Sequence, residues 1–566
     1  MELRTSLNDD LGDFQTPPEL VTAVLDCLYR DGKSWDRILE PTCGAGHFIS
    51  GLVRHHNPPT EIIGLELQHG YASQAAQLTA ADSGIAVSVR QANVFSLHLG
   101  RDLTWQTSGP LLVVGNPPWI TNSELSALGS GNLPMKRNLK GLRGLDARTG
   151  SANFDIAEYI WLKLIEELQG ETPTIALLCK TSVARNVIQF ASSSGLPIRH
   201  ASLHRIDASR SFGVSADACL FRVDIGEPLM RYLVPVYPNL SATMPQTTIR
   251  AEKGTLIADA ESYRRASFAD GRCPLEWRQG LKHDASSVME LNRDAGGHLF
   301  NKHGDCVDVE PDYIFPLLKS SDLFRGDVPN SGRAVIVPQR NLKEDASILR
   351  DVAPRLWTYL SSHIAAFERR KSSIYRSDSP FSIFGVGDYS FAPFKVAVSG
   401  LHKEPRFRAF GMVENRPVML DDTCYFIPCA SARQAAVIAS VLNSDISRDL
   451  LNGITFWDAK RPLTKKVLQR IDLVQVARHA KRGELLAAAS EQLASMPLAK
   501  LSACIDWPER WEDIIYDEAG SDQAVRSAST AGLAYQTRMM ERARSIRHET
   551  RRPHTSSEGD LSWRFT

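Results

Sequence analysis

Among its nine cysteines the 566-residue sequence has no C-x-x-C pair; Cys424 and Cys429 stand closest together. That excludes the common zinc-ligand spacings and a disulfide framework, so no metal is expected and the chain suits a reducing cytoplasm. Neither sign of charge is in excess, with 65 Lys and Arg against 65 Asp and Glu. No global basic field therefore marks a nucleic-acid binder, and any basic surface must be local. No apolar run approaches the ~20 residues needed to span a bilayer. Met1-Glu2-Leu3-Arg4-Thr5 carries no apolar signal core. No internal repeat is visible. What remains is a chain with 43% hydrophobic residues, expected to be soluble, intracellular and divided into two or more domains.

The most informative stretch is Gly115-Asn116-Pro117-Pro118-Trp119, which follows the apolar run Leu111-Leu112-Val113-Val114. The run reads as a strand buried on both faces. Two consecutive prolines fix φ and remove two N–H donors. The result is a rigid loop presenting an amide, a bare carbonyl and an aromatic ring at a strand's C-terminal edge, where open parallel α/β sheets bind ligands. Such a loop suits attack by a weak amine. The Asn116 side-chain oxygen and the Pro117 carbonyl would accept the amine's two hydrogens, freeing a conjugated lone pair and stabilising the positive charge that develops. Trp119 would stack on the ring that carries the amine. The alternative is a proline-rich turn with a core tryptophan.

Phe14-Gln15-Thr16-Pro17-Pro18-Glu19 predicts a helix start with Thr16 as N-cap and Glu19 completing a capping box. Gly32 ends that helix. Arg37 to Phe48 reads as a strand, a glycine turn (Gly44, Gly46) and a helix start. Glu66 lies twenty residues beyond Gly46 at the end of Glu61-Ile62-Ile63-Gly64-Leu65, the distance of a ribose-binding acid. Ile49 stands where a dinucleotide fingerprint wants its third glycine, so a nucleoside without a pyrophosphate competes with a nicotinamide dinucleotide. Val87 to Phe95 predicts a strand whose tip residue, Asn93, either meets an adenine edge or caps a turn. Residues 121–150, with Lys136, Arg137, Lys140, Arg143 and Arg148, read as a loop that either contacts phosphates or is merely solvated. An amphipathic helix from Asn153 to Leu168, a strand at Thr174–Cys179, a helix near 182–193 and strands near 199–206 and 218–224 complete a doubly wound α/β pattern.

Taken together, these residues resemble the class I S-adenosylmethionine-dependent methyltransferases, and more narrowly the TaqI-like, gamma-class DNA amino-methyltransferases of restriction–modification or phage-defence systems. The order Phe-x-Thr-Pro, Glu-Pro-x-x-Gly-x-Gly, acidic strand end, Asn-Pro-Pro-aromatic matches. The resemblance implies a Rossmann-like sheet over residues 1–270 followed by a mixed α+β target-recognition region. It implies that Thr16 and Pro17 line an S-adenosylmethionine pocket, that Glu40, Cys43, Gly44 and Gly46 cradle the methionine end, and that Glu66 holds the ribose. Asn93 stands where the family usually has Asp at the cofactor's adenine. Asn116, Pro117, Pro118 and Trp119 match the catalytic tetrad, with Asn favouring N6 of adenine, and Phe212 aligns with an aromatic that stacks on the flipped base. The implied partner is double-stranded DNA, with a separately encoded nuclease or defence subunits beside it.

From about residue 270 short strands, turn residues and basic clusters take over. Phe381–Gly387 and Tyr389–Ser399 read as strands joined by glycines. Arg340, Arg369, Arg370, Lys371, Lys460 and Arg461, with Lys136 and Arg137, are the candidate DNA contacts. Residues 271–475 are read as the recognition domain and 476–566 as a helical extension with a basic, polar tail. Two rivals remain. A glutamine methyltransferase would use the same loop, but the long C-terminal half disfavours it. A combined endonuclease–methyltransferase would need a nuclease constellation, and none is evident.

Overall fold

The computed structural model describes residues 14–30, 32–78, 84–120, 155–326, 332–342, 344–375, 380–496, 507 and 509–516. By packing, the chain divides into two units, residues 1–265 with 452–459, and residues 266–451 with 460–566. The segment 452–459, which the sequence places in the second region, thus belongs to the first unit.

The first unit is built on a ten-stranded sheet. Its strands are β1 (Arg37–Glu40), β2 (Glu61–Glu66), β3 (Ala86–Gln91), β4 (Leu111–Gly115), β5 (Thr174–Lys180), β6 (Ile198–Asp207), β7 (Asp217–Ile225), β8 (Arg231–Tyr237), β9 (Thr247–Glu252) and β10 (Thr255–Ile257). The spatial order is β3-β2-β1-β4-β5-β7-β6-β8-β9-β10. Strands β1 to β5 are mutually parallel, and β7 runs antiparallel to both β5 and β6. This is the class I methyltransferase sheet that the resemblance implied, extended at one edge by the antiparallel strands β8, β9 and β10.

Burial on both faces explains the continuous apolar runs. Successive residues of one strand enter different cores, as the period of two requires. Leu39, Val113, Ile175 and Leu177 pack with α5 (Ile156–Glu167) and α6 (Thr181–Ser194). Ile38, Leu112, Val114 and Leu178 pack with α1 (Pro18–Tyr29) and α2 (His47–Val53). Between these lie the short helices α3 (His69–Ala76) and α4 (Leu99–Asp102), and α7 (Ala208–Phe212) joins β6 to β7. Helix α5 is not amphipathic as expected. Ten of its residues, from Ile156 to Ile165, are buried, Glu158 and Lys163 included. The N-cap of α1 is Pro17, not Thr16, and no side chain caps it. A residue before proline is pushed out of the helical region; Pro17 is accordingly extended (φ −60°, ψ 145°) and the helix begins at Pro18.

Among the described residues the second unit contains two sheets. One orders β13 (Leu299–Phe300), β12 (Glu290–Arg293), β15 (Arg333–Ile336), β14 (Ile314–Leu318) and β18 (Met419–Leu420); the other orders β11 (Arg278–Gln279), β19 (Cys424–Cys429), β16 (Phe394–Ser399) and β17 (Arg408–Phe410). Helices α8 (Ala432–Asn443), α9 (Leu473–His479), α10 (Arg482–Ala494) and α11 (Trp511–Ile515) belong to the same unit. Phe381–Gly387 is not the strand expected. Gly385 sits at φ 74°, and Val386, of the opposite parity, enters the same core as Phe381 and Ile383. Asp388–Phe391 is a 3-10 turn, and the ladder begins only at Phe394. Among the described residues no helix is long and apolar enough to cross a membrane.

Candidate active site

Because β1 to β4 are parallel, their C-terminal ends share one edge of the sheet. Glu40 ends β1, Glu66 ends β2, Asn93 follows β3 and Asn116 follows β4. These four line one cavity of about 250 Å³ together with Phe14, Thr16, Thr42, Cys43, Gly44 and Pro118. Of the other candidate site residues, Pro17, Gly46, Pro117, Trp119 and Phe212 are not among those that line it.

The glycine turn is shaped by close approach. Gly44 lies at φ 51°, and a Cβ there would come within 2.8 Å of Gln15 Oε1. Gly46 lies at φ 84°, where a Cβ would come within 2.8 Å of Leu78 and 3.0 Å of Ala75. An L side chain would be strained at either φ, and at Gly46 it would also crowd Leu78 and Ala75. The turn in turn fixes an acid. Glu66 Oε2 accepts the Gly44 N–H (2.9 Å) and Oε1 accepts the Gln68 N–H (2.8 Å). Glu40 is 2% exposed and its Oε2 has no partner among the described residues. Burial pushes its carboxyl well above the ordinary carboxylate range; an N–H bond from Ile49 opposes this and the charge of Glu66 adds to it. Burial also pushes up the Cys43 thiol, so that side chain acts as a small apolar wall. Asn93 Oδ1 accepts the Phe95 N–H at 2.9 Å, the turn-capping geometry anticipated beside its cavity-lining position.

Asn116 is the most informative side chain. Its Nδ2 donates to the Phe14 carbonyl at 2.9 Å. Only the NH₂ end of an amide can face a carbonyl, so that bond settles which way the group points. The other end, Oδ1, is buried with no partner among the described residues. A buried acceptor left unpaired costs ~1–3 kcal/mol, so Oδ1 can take a further donor. Trp119 is 6% exposed, and its indole N–H donates to the Leu178 carbonyl at 3.4 Å. Its ring lies 5.1 Å from Phe212, edge to face, and 6.0 Å from Phe14. The three rings form one aromatic wall in which Phe212 is only partly buried.

The basic candidates separate by what already holds them. Lys136 and Arg137 lie outside the described residues. The Arg370 guanidinium donates to the carbonyls of Pro380 (2.6 Å) and Ser382 (2.7 Å) and lies 3.8 Å from the Tyr375 ring centre. Arg461 donates to the Asp422 carbonyl at 3.3 Å, and Arg340 lies over Phe391. Arg369, Lys371 and Lys460 are exposed. Among the described residues no group of three metal-ligating side chains exists.

Sequence reasoning missed Gln15 and His47. Gln15 Oε1 accepts the Ala45 N–H at 3.1 Å, and His47 Nδ1 meets the Thr16 carbonyl at 2.6 Å. Together they tie the segment before α1 to the glycine turn. Their one signal was adjacency to Thr16 and Gly46.

The sequence is 34% identical to the type II methyltransferase M.NspV of a Nostoc species over 470 residues, 83% of this chain and 97% of that one. Among solved structures, the type IIL restriction-modification enzyme MmeI in complex with DNA aligns at a TM-score of 0.49 and 13% identity, over 90% of this chain and 71% of that one. The type IIG restriction endonuclease BpuSI aligns at 0.34 and 13%, over 91% and 65%. No family model matches the chain.

Proposed function

The chain belongs to the type II methyltransferases, and from that premise we propose that it methylates N6 of an adenine flipped out of duplex DNA, as the modification component of a restriction–modification system of the TaqI-like, gamma class. The observation that carries this reading is the orphaned Asn116 Oδ1, on a side chain that lines one cavity with Glu66 and the glycine turn.

The donor set fits S-adenosylmethionine. Glu66 would hold the ribose hydroxyls, an acid-to-hydroxyl pairing at the end of β2. Glu40, whose buried Oε2 lacks a partner among the described residues, and Thr42, whose hydroxyl lacks one likewise, would face the polar methionine end. S-adenosylmethionine, when bound, supplies an electrophilic methyl group. The work left to the protein is orientation and charge. Asn116 Oδ1 accepts one amine hydrogen and the Pro117 carbonyl the other, which drives the nitrogen toward a tetrahedral shape and frees its lone pair. Flipping the adenine costs a few kcal/mol. Stacking on the Phe14–Trp119–Phe212 wall returns ~1–3 kcal/mol of that. Holding amine and methyl in line supplies much of the acceleration.

Expression in a host free of adenine methylation, followed by sequencing of its DNA for modified bases, tests this reading. N6-methyladenine at one recurring short sequence is expected. Methyl groups on cytosine N4 or on protein glutamine, with none on adenine, would overturn it.

A further inference from the structure

We propose that Lys180 is a positioning residue for methyl transfer, holding the main chain of the Asn116–Trp119 loop in place from the end of β5. This rests on the reading of that loop given above. Pro117 and Pro118 have no N–H, so a loop whose value lies in rigidity cannot be pinned through its own amides at those positions. The pins come from β5, which runs beside β4 with Gly115 opposite Leu177. The Leu178 carbonyl takes the Trp119 indole N–H. Lys180 Nζ donates to the Trp119 carbonyl at 3.0 Å. Trp119 is thus gripped at its ring and at its backbone by residues two apart on one strand.

The ammonium serves a second partner. Lys180 Nζ also reaches Asp155 Oδ2 at 3.0 Å, while Asp155 Oδ1 accepts the Ala157 N–H as the N-cap of α5. Beside it the Ile156 N–H donates to the Ile120 carbonyl at 3.0 Å. One charge therefore joins three elements: the loop after β4, the end of β5 and the start of α5. Lys180 itself is not among the residues lining the cavity. Its influence on the reaction passes through the Trp119 carbonyl to the neighbouring Asn116 and Pro117. A displacement of about 1 Å in such a group can cost about a hundredfold in rate. The glycine turn follows β1 and Glu66 ends β2, so the groups expected to hold the cofactor lie on other strands, while Ile120 and Ile156 of this junction line the same cavity.

The test is steady-state kinetics on the full chain with duplex DNA. Lys180→Met keeps an unbranched stem, one atom shorter, and removes its donors. We expect kcat to fall ten- to a hundredfold, with the Kd for S-adenosylmethionine and the KM for DNA within about threefold of the parent. Lys180→Arg, which keeps a charged donor, should recover most of kcat. Lys180→Met leaves Asp155 without its counter-ion, so the double variant Lys180→Met with Asp155→Asn is measured as well. It keeps a capping acceptor, and its kcat should be as low as that of the single variant. Unchanged kcat in the folded double variant overturns the proposal, and so does a loss that appears wholly in cofactor affinity. If Asn116→Ala is also fully active, it is the reading of the loop that fails; if Asn116→Ala is inactive while the double variant turns over normally, only the role of Lys180 falls.

Discussion

At the scale of single residues, the site combines acceptors that are satisfied with acceptors that are left waiting. Glu66 already binds two backbone N–H groups. Glu66→Gln offers one oxygen where two were used, and a charge-assisted bond to a hydroxyl is lost. Cofactor affinity is expected to fall about tenfold or more by calorimetry, since bonds to charged groups are worth ~1.5–3 kcal/mol. In the second unit, burial lowers the Lys395 ammonium to about 7 from its ordinary 10.5, and its Nζ donates to the Ala392 carbonyl. Below that range both folded and unfolded chains are protonated at this site. Between about 7 and 10.5 the folded chain has released a proton that the unfolded chain retains, so stability should rise with pH across that window. Denaturant midpoints at pH 7 and 9 should show that rise, and Lys395→Met should flatten it.

At the scale of elements, legibility followed burial. Strands β1, β4 and β5 were readable because sheet interiors demand unbroken apolar runs, and the Asn116 loop because proline and glycine act locally. The misreadings arose where distant packing decides. Phe381 and Ile383 have the period of two of a strand, yet Val386, out of that register, is drawn into the same core. Helix α5 lacks a polar face because its charged residues find buried partners, such as Lys163 with Glu167. Nothing local reveals that Phe456-Trp457-Asp458 returns to the first unit. There Asp458 accepts from Thr181 Oγ1 at 2.7 Å and pairs with Arg185 at 2.5 Å, while the Arg185 guanidinium lies 4.5 Å from the Phe456 ring centre. Asp458→Ala would leave Arg185, only 13% exposed, without its counter-ion. A loss of about 3 kcal/mol in unfolding free energy is expected, read by urea denaturation. A change below 0.5 kcal/mol would show that this segment is not a structural strap.

At the scale of the whole molecule, balanced charge means that affinity for DNA must come from particular patches. The structure separates cations that are spent from cations that are available. Lys371 and Lys460 are exposed, so replacing either with alanine should weaken DNA binding evenly across sequences and lower the salt slope by about 1. Arg370, occupied by two main-chain carbonyls, should behave differently, with Arg370→Ala reducing stability more than the salt slope. Gel-shift titrations at several salt concentrations distinguish the two. The most direct test of the central claim is single-turnover transfer of a labelled methyl group to duplex DNA by Asn116→Ala, with cofactor affinity measured on the same sample. Transfer should fall at least a hundredfold while the cofactor Kd stays within about threefold of the parent. Parent-like transfer by this variant would contradict the assignment of the Asn116 amide as the group that grips the reacting amine.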